Sequence, residues 1–135
     1  MDAYIVAGYR TAVGKAKKGG FKNMRSDDLG AAVINHLVKE VPNMDPKQID
    51  DVIVGCAIPE GAQGMQMGRM ISLLSLPIEV PGMLLNRYCG SGLESIALAA
   101  SRVHAGTAEC IIAGGAETMS MVPMMGYKVD LNYKI

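Results

Sequence analysis

An excess of charge is missing from this chain: 13 Lys and Arg stand against 13 Asp and Glu, for a formal net charge of +0. The electrostatic footprint of a nucleic-acid binder is therefore absent, and no nucleic-acid partner is expected. The one local concentration, Lys15, Lys17 and Lys18, precedes Gly19 and Gly20 and reads as a solvated loop. Long apolar runs are missing too. No stretch approaches the roughly 18 residues of a membrane span, and MDAYIVAGYR meets Gly and Arg too early for the apolar core of a signal peptide. A cytoplasmic chain without a membrane span is expected.

Cysteine is scarce and unpaired in pattern. Cys56, Cys89 and Cys110 form no CxxC pair and only two His accompany them, so neither a zinc site nor a disulfide framework is expected. The thiols are read as reduced, and any of the three could be reactive. There is no Trp and one Phe, yet 50% of the 135 residues are apolar. A single domain of this size buries about two-thirds of the surface its unfolded chain exposes and needs no staples. Met is abundant, with 11 residues that include Met65, Met67 and Met70 and then Met119, Met121, Met124 and Met125. These read as filling of irregular core gaps, with an acyl-chain pocket as the alternative.

Apolar runs and helical stripes alternate along the chain, with no internal repeat. Ala3 to Ala7 reads as a short buried strand ending at Gly8. Ser26 is expected to cap a helix whose first turn carries Asp27 and Asp28, with Leu29, Ala32, Val33, His36 and Leu37 as its buried stripe. On that stripe His36 reads as a packed edge residue rather than a catalyst. A strand over Val52 to Ala57, a short helix over Met67 to Ser75 and a strand over Gly82 to Asn86 follow. A helix over Gly90 to Ala105, buried on most sides, and a strand over Glu109 to Ala113 complete the pattern. The order β-α-β-α-β-α-β with apolar strands predicts an α/β fold, a mostly parallel or mixed sheet with helices on both faces.

The chemistry concentrates in Asn86-Arg87-Tyr88-Cys89-Gly90-Ser91-Gly92, where a Cys lies between a buried strand and the first turn of a helix. Unpaired N–H groups and the positive end of the dipole at a helix start favour a thiolate. Gly90 and Gly92 would wall a recess in which a substrate carbonyl approaches the sulfur and these N–H groups, a geometry suited to acyl transfer. Cys89 is the candidate nucleophile, with its own backbone N–H in an oxyanion site. Cys56 and Cys110, placed in or opening strands, read as structural.

Two other motifs compete and lose. Gly8 to Lys15 has one residue too many between its glycines for a P-loop, and Ala16 stands where Ser or Thr is required. Gly90-x-Gly92-x-x-Ser95, with Glu117 beyond the next strand, approximates a dinucleotide fingerprint but lacks its third Gly or Ala.

The segment Asn86 to Gly92 resembles the thiolase nucleophile motif, in which the Cys after Asn-x-x takes the acyl group. Three further stretches resemble the same family in its order. They are Arg10-Thr11-Ala12-Val13-Gly14-Lys15, then Gly55-Cys56 with the Gly-Gln loop and Arg69, then Gly114-Gly115-Ala116-Glu117-Thr118-Met119-Ser120. Gly20 to Arg25 and Val122-Pro123-Met124 are more similar to degradative 3-ketoacyl-CoA thiolases than to the biosynthetic acetoacetyl-CoA branch.

The resemblance implies a layered α/β fold of two similar halves with an inserted loop domain that grips coenzyme A. Residues 1–120 would be an N-terminal thiolase-like α/β half, and residues 121–135 the start of an incomplete inserted loop domain. It implies an acyltransferase that cleaves 3-ketoacyl-CoA with coenzyme A through an acyl-Cys89 intermediate, in fatty-acid beta-oxidation. Coenzyme A is then a substrate, no tightly bound cofactor is expected, and a homodimer or homotetramer with a beta-oxidation partner enzyme follows by analogy. The family's Asn-Glu-Ala-Phe, Gly-His-Pro and Cys-x-Gly-Gly motifs do not occur here, and neither His36 nor His104 stands in a Gly-His-Pro context. Little or no turnover is expected from this segment alone. A non-catalytic nucleotide-binding or assembly module and, within the fold, a ketoacyl synthase or a biosynthetic acetoacetyl-CoA thiolase are the alternatives.

Overall fold

The computed structural model describes residues 2–134. Helix α1 (Ser26–Glu40) precedes strand β1 (Asp51–Gly55), helix α2 (Met67–Ser75), strand β2 (Gly82–Leu85), helix α3 (Ser91–His104) and strand β3 (Ile111–Gly115). The three strands form one parallel sheet in the order β2-β1-β3, with Val52 beside Gly82 on one side and Ile112 on the other. The chain steps outward from β1 to β2 and back across to β3, so right-handed crossovers place α2 and α3 on opposite faces.

Side-chain burial agrees with this two-sided arrangement. Val52 and Val54, two apart and so on one face, join Ile34 of α1 and Met67 and Ile71 of α2 in the main core. Fully burying each of these contributes about 1.5–3 kcal/mol. On the other face Gly55 meets the backbone of Ser91 and Gly92 so closely that a Cβ would collide with the Ser91 carbonyl. Gly68 of α2 is held in the same way against the Met83 carbonyl of β2.

Charged side chains tie the ends of these elements together. Asp51, at the start of β1, accepts from Arg102 in the last turn of α3 at 2.5 Å. Its neighbour Asp50 accepts from the N–H groups of Glu109 at 2.6 Å and Cys110 at 3.0 Å, joining the entries to β1 and β3. Those two N–H groups hold the Asp50 carboxyl below its usual value of 3.8.

Several sequence expectations are corrected. Residues 3–7 form no strand: Tyr4, Ile5 and Val6 are 80%, 85% and 81% exposed. A strand exists only where a neighbour takes up its N–H and C=O groups, and none of the three strands pairs with this segment. Ser26 does not cap α1 but is its first residue; it is buried, with its hydroxyl 3.1 Å from Met67 Sδ. Arg25 takes the cap position, and its guanidinium grips Asp27 at 2.7 Å.

The buried face of α1 is Ser26, Asp27, Ala31 and Ile34, whereas Ala32 and His36 are exposed. The helix packs on α2, and the missing side chain of Gly30 makes room for Ile71 Cδ1, 2.6 Å from where a Cβ would stand. Helix α3 is not buried on most sides. Its inner face is the small-residue row Ser91, Ser95 and Ala99, while Leu93 is 74% exposed. The strands are also shorter or shifted: β1 stops at Gly55, before Cys56, and β3 opens at Ile111, after Cys110.

Candidate active site

The turn that delivers Cys89 to α3 is built by Asn86. Its Oδ1 accepts the Tyr88 N–H at 2.8 Å, the turn that Asn side chains form with the backbone two residues on. Its Nδ2 donates to the Ala57 carbonyl at 3.0 Å, pinning the turn to the segment after β1. Ser91 closes the other side, accepting the Arg87 N–H at 2.8 Å and donating to the Tyr88 carbonyl at 2.6 Å. Between these anchors Tyr88 is held in the left-handed region at φ 47°, a conformation that a non-glycine residue adopts only at a cost of about 1–3 kcal/mol.

Cys89 follows at the outside of this turn and is solvent-exposed. The dry recess expected around the sulfur is therefore absent here. Gly92 has open space around its missing side chain, as expected, but Gly90 cannot serve as an anion donor. Its N–H donates to the Arg87 carbonyl at 3.1 Å, and that of Ser91 to the Tyr88 carbonyl at 3.0 Å. After Ser91, the next N–H of α3 to bond back is that of Glu94, to the Gly90 carbonyl at 2.9 Å. The donors left for a carbonyl oxygen near the sulfur are thus the N–H of Cys89 itself and those of Gly92 and Leu93 in the first turn.

Behind the turn lies a polar cluster that the sequence did not reveal. Gln63, fully buried, donates to Ile58 O at 2.8 Å and to Glu117 Oε1 at 2.5 Å, and accepts the Thr118 N–H. Glu117 Oε2 accepts the Ala57 N–H at 2.7 Å, and Cys56 Sγ lies 3.7 Å from Oε1. The Gly-Gln loop and the Glu117 segment, far apart in sequence, therefore meet beneath Ala57. Only the side-chain hydrogen-bonding capacity of Gln63 and Glu117 hinted at this, with no local spacing to join them.

The other two thiols are poor nucleophiles. Burial, and next the adjacent Glu117 carboxylate, push the Cys56 thiol up from 9.0 to about 12. Burial, and then Asp50, also raise Cys110. Both read as structural from the sequence, and both remain protonated at neutral pH here.

The remaining candidates divide. Arg69 holds backbone rather than facing the turn, donating to Val80 O at 2.5 Å and Ile78 O at 3.0 Å. His36 is exposed, edge-on to Tyr9 at 4.6 Å between ring centroids and 3.9 Å from Glu40. Lys15, Lys17 and Lys18 lie on an exposed turn, where the Lys17 N–H donates to Ser120 Oγ at 2.8 Å. Of the clustered methionines, Met67 fills the core as expected, but Met65, Met124 and Met125 are 86%, 67% and 65% exposed. Met124 and Met125 line, with Asn86, Tyr88 and residues 57–60, a cavity of about 250 Å³ beside the Cys89 turn. Among the described residues no group of three His, Cys, Asp or Glu side chains could hold a metal ion.

An α/β domain that seats an exposed cysteine on a strained strand-to-helix turn is the class these features define. The chain belongs to the thiolase family: residues 3–134 match the family model described as thiolase, N-terminal domain. It is 51% identical over 127 residues to the 3-ketoacyl-CoA thiolase of Bacillus subtilis (strain 168), covering 93% of this chain and 32% of that protein. It is 48% identical over 122 residues to the beta-ketoadipyl-CoA thiolase of Acinetobacter baylyi, covering 90% of this chain and 30% of that protein. A 3-ketoacyl-CoA thiolase of Marinomonas sp. is 39% identical over 132 residues, 97% of this chain and 34% of that protein. The chain thus spans about a third of the length of these relatives.

Proposed function

We propose that this chain is the nucleophile-bearing part of an acyltransferase that cleaves 3-ketoacyl-CoA with coenzyme A. The Cys89 thiolate attacks the 3-keto carbon, and the bond between C2 and C3 breaks. The acyl group stays on the sulfur, and the electron pair leaves on C2 of the acetyl-CoA fragment, which takes a proton from a group outside this chain. The thiol of coenzyme A then attacks the acyl-Cys89 thioester, releasing a shortened acyl-CoA and returning the cysteine. Coenzyme A is a substrate in this scheme, and no resident cofactor takes part.

The observation that carries this reading is the exposed Cys89 on its strained turn at the start of α3, with Cys56 and Cys110 both held as thiols. The family relationship supports it, as does the cavity beside Tyr88, whose unbranched, adaptable methionine side chains suit an aliphatic acyl group. The degradative direction, in beta-oxidation, rests on Gly20 to Arg25 and Val122 to Met124. A cytoplasmic location and a homodimer or homotetramer working beside a beta-oxidation enzyme belong to the same reading. Among the described residues no helix is long and apolar enough to cross a membrane. The division into an α/β half over residues 1–120 and the start of an inserted loop domain from residue 121 belongs to it too. The outward stripe of α3, with Leu93 and Ile96 exposed, suits a unit that packs against further structure.

The test is acyl transfer to sulfur. Incubation of the complete protein with 3-ketoacyl-CoA of graded chain length should place an acyl adduct on the Cys89 peptide, and Cys89→Ala should lower turnover by about 10³-fold or more. The 135-residue chain alone should show little or no turnover. An adduct mapped to Cys56 or Cys110, or turnover surviving in Cys89→Ala, overturns the reading. A preference for acetoacetyl-CoA would place the enzyme in the biosynthetic branch instead.

A further inference from the structure

We infer that Glu117 is a positioning residue for the Cys89 nucleophile, acting through Ala57 and Asn86, an inference that rests on the reading of Cys89 as the acyl acceptor. The two backbone groups of Ala57 are held from opposite directions. Its N–H donates to Glu117 Oε2 at 2.7 Å, and its C=O accepts from Asn86 Nδ2 at 3.0 Å. Asn86 in turn accepts the Tyr88 N–H at 2.8 Å, and Tyr88 is the left-handed residue immediately before Cys89. An unbroken series of hydrogen bonds therefore runs from the carboxylate after β3 to the turn that aims the sulfur.

The chemistry of the Glu117 carboxylate suits an anchor. It acts only as an acceptor here, and the groups around it are donors: Ala57 N–H, Gln63 Nε2 and the Cys56 thiol. Gln63 cannot turn over to accommodate a change, because its Nε2 also serves Ile58 O and its Oε1 takes the Thr118 N–H. An amide at position 117 would set an N–H donor against one of these donors while keeping the shape of the side chain. In either orientation the amide repels one of them, so the side chain is pushed from its place; Ala57 is then held less firmly, and with it the exposed carboxamide of Asn86. The strained turn at Tyr88, which needs its surroundings to over-determine it, would then relax and carry the sulfur away from the free N–H groups of α3.

The test uses Glu117→Gln, Asn86→Asp and the double variant. Asp at position 86 keeps an acceptor for Tyr88 but turns a carboxylate oxygen toward Ala57 O, cutting the series at its other joint. Each protein is alkylated with iodoacetamide between about pH 6 and pH 9, with adducts on the Cys89 and Cys110 peptides counted by mass spectrometry. Each single variant should slow Cys89 labelling roughly two-fold or more, with Cys110 unchanged. The double variant should be no slower than the slower single one, as expected for residues acting in one series. A general loosening would instead speed Cys110 together with any change at Cys89. Changes below about two-fold, equal changes at both thiols, or effects that multiply in the double variant overturn the inference. Should Glu117→Gln fail to fold, Glu117→Asp takes its place: it keeps the carboxylate but draws it back from Ala57 N–H, and it should slow Cys89 labelling by the same criterion. Alkylation needs no coenzyme A, so failed acyl transfer in the complete protein with coupling intact overturns the reading of Cys89 alone. Lost coupling beside an acylated Cys89 overturns the positioning role alone.

Discussion

Cys56 and Cys89 show how one residue type is given two fates by its surroundings. Cys89 stands in solvent on a turn, whereas Cys56 is 1% exposed and shares its pocket with a carboxylate. The thiol of Cys56 ionises near 9.0 when the chain is unfolded and only at about 12 when it is folded. Stability associated with the neutral thiol is therefore complete below pH 9 and is lost as pH rises from there through about 12. Urea midpoints should fall over that interval, and Cys56→Ala should flatten the fall even if it lowers the midpoint at neutral pH. An equally steep decline in the variant would assign the effect to other groups. The exposed cysteine turn was legible in the sequence because Cys-Gly-x-Gly after an apolar strand is a local pattern, and Asn86 announces its turn two residues ahead. Glu117 and Gln63 were not legible as a pair, since 54 residues separate them and only the closed sheet brings them together.

At the scale of elements, the sequence was read well where burial depends on local pattern and poorly where it depends on a distant neighbour. Apart from Asp51, strands β1, β2 and β3 hold only apolar residues and glycine, and each boundary lies within two residues of the one expected. The buried face of α1 was misread because Gly30 and Ile71, not hydropathy along the helix, select the contact with α2. The run over residues 3–7 has strand composition, but composition supplies no partner for its backbone. The junction of β1 with α3 makes a sharp prediction. Gly55→Ala would push a methyl group into the Ser91 carbonyl, and since both sides are backbone the helix must shift. A loss of about 1–3 kcal/mol is expected by chemical denaturation, together with altered Cys89 labelling because α3 carries the turn. A variant as stable as the parent would show that this junction yields easily.

For the whole molecule, the sheet is closed at its entry by Asp50 as much as by its ladders. Its carboxylate is below the usual 3.8, held there by the Cys110 and Glu109 N–H groups. The stability it contributes is therefore full above about pH 3.8 and is lost as pH falls through the lower folded value. Asp50→Asn should be less stable than the parent above about pH 4, and the difference should shrink as pH falls below the usual 3.8. A constant difference across that range would exclude the linkage.

The dependence of the Cys89 turn on Glu117 also has a consequence in time. Residue 117 is polymerised after the cysteine it anchors, and at about 5–20 residues per second the interval is on the order of seconds. During protein synthesis the sulfur therefore leaves the ribosome with its aim unset. The turn is tethered only once β3 and the segment after it have emerged and Glu117 has docked on Ala57.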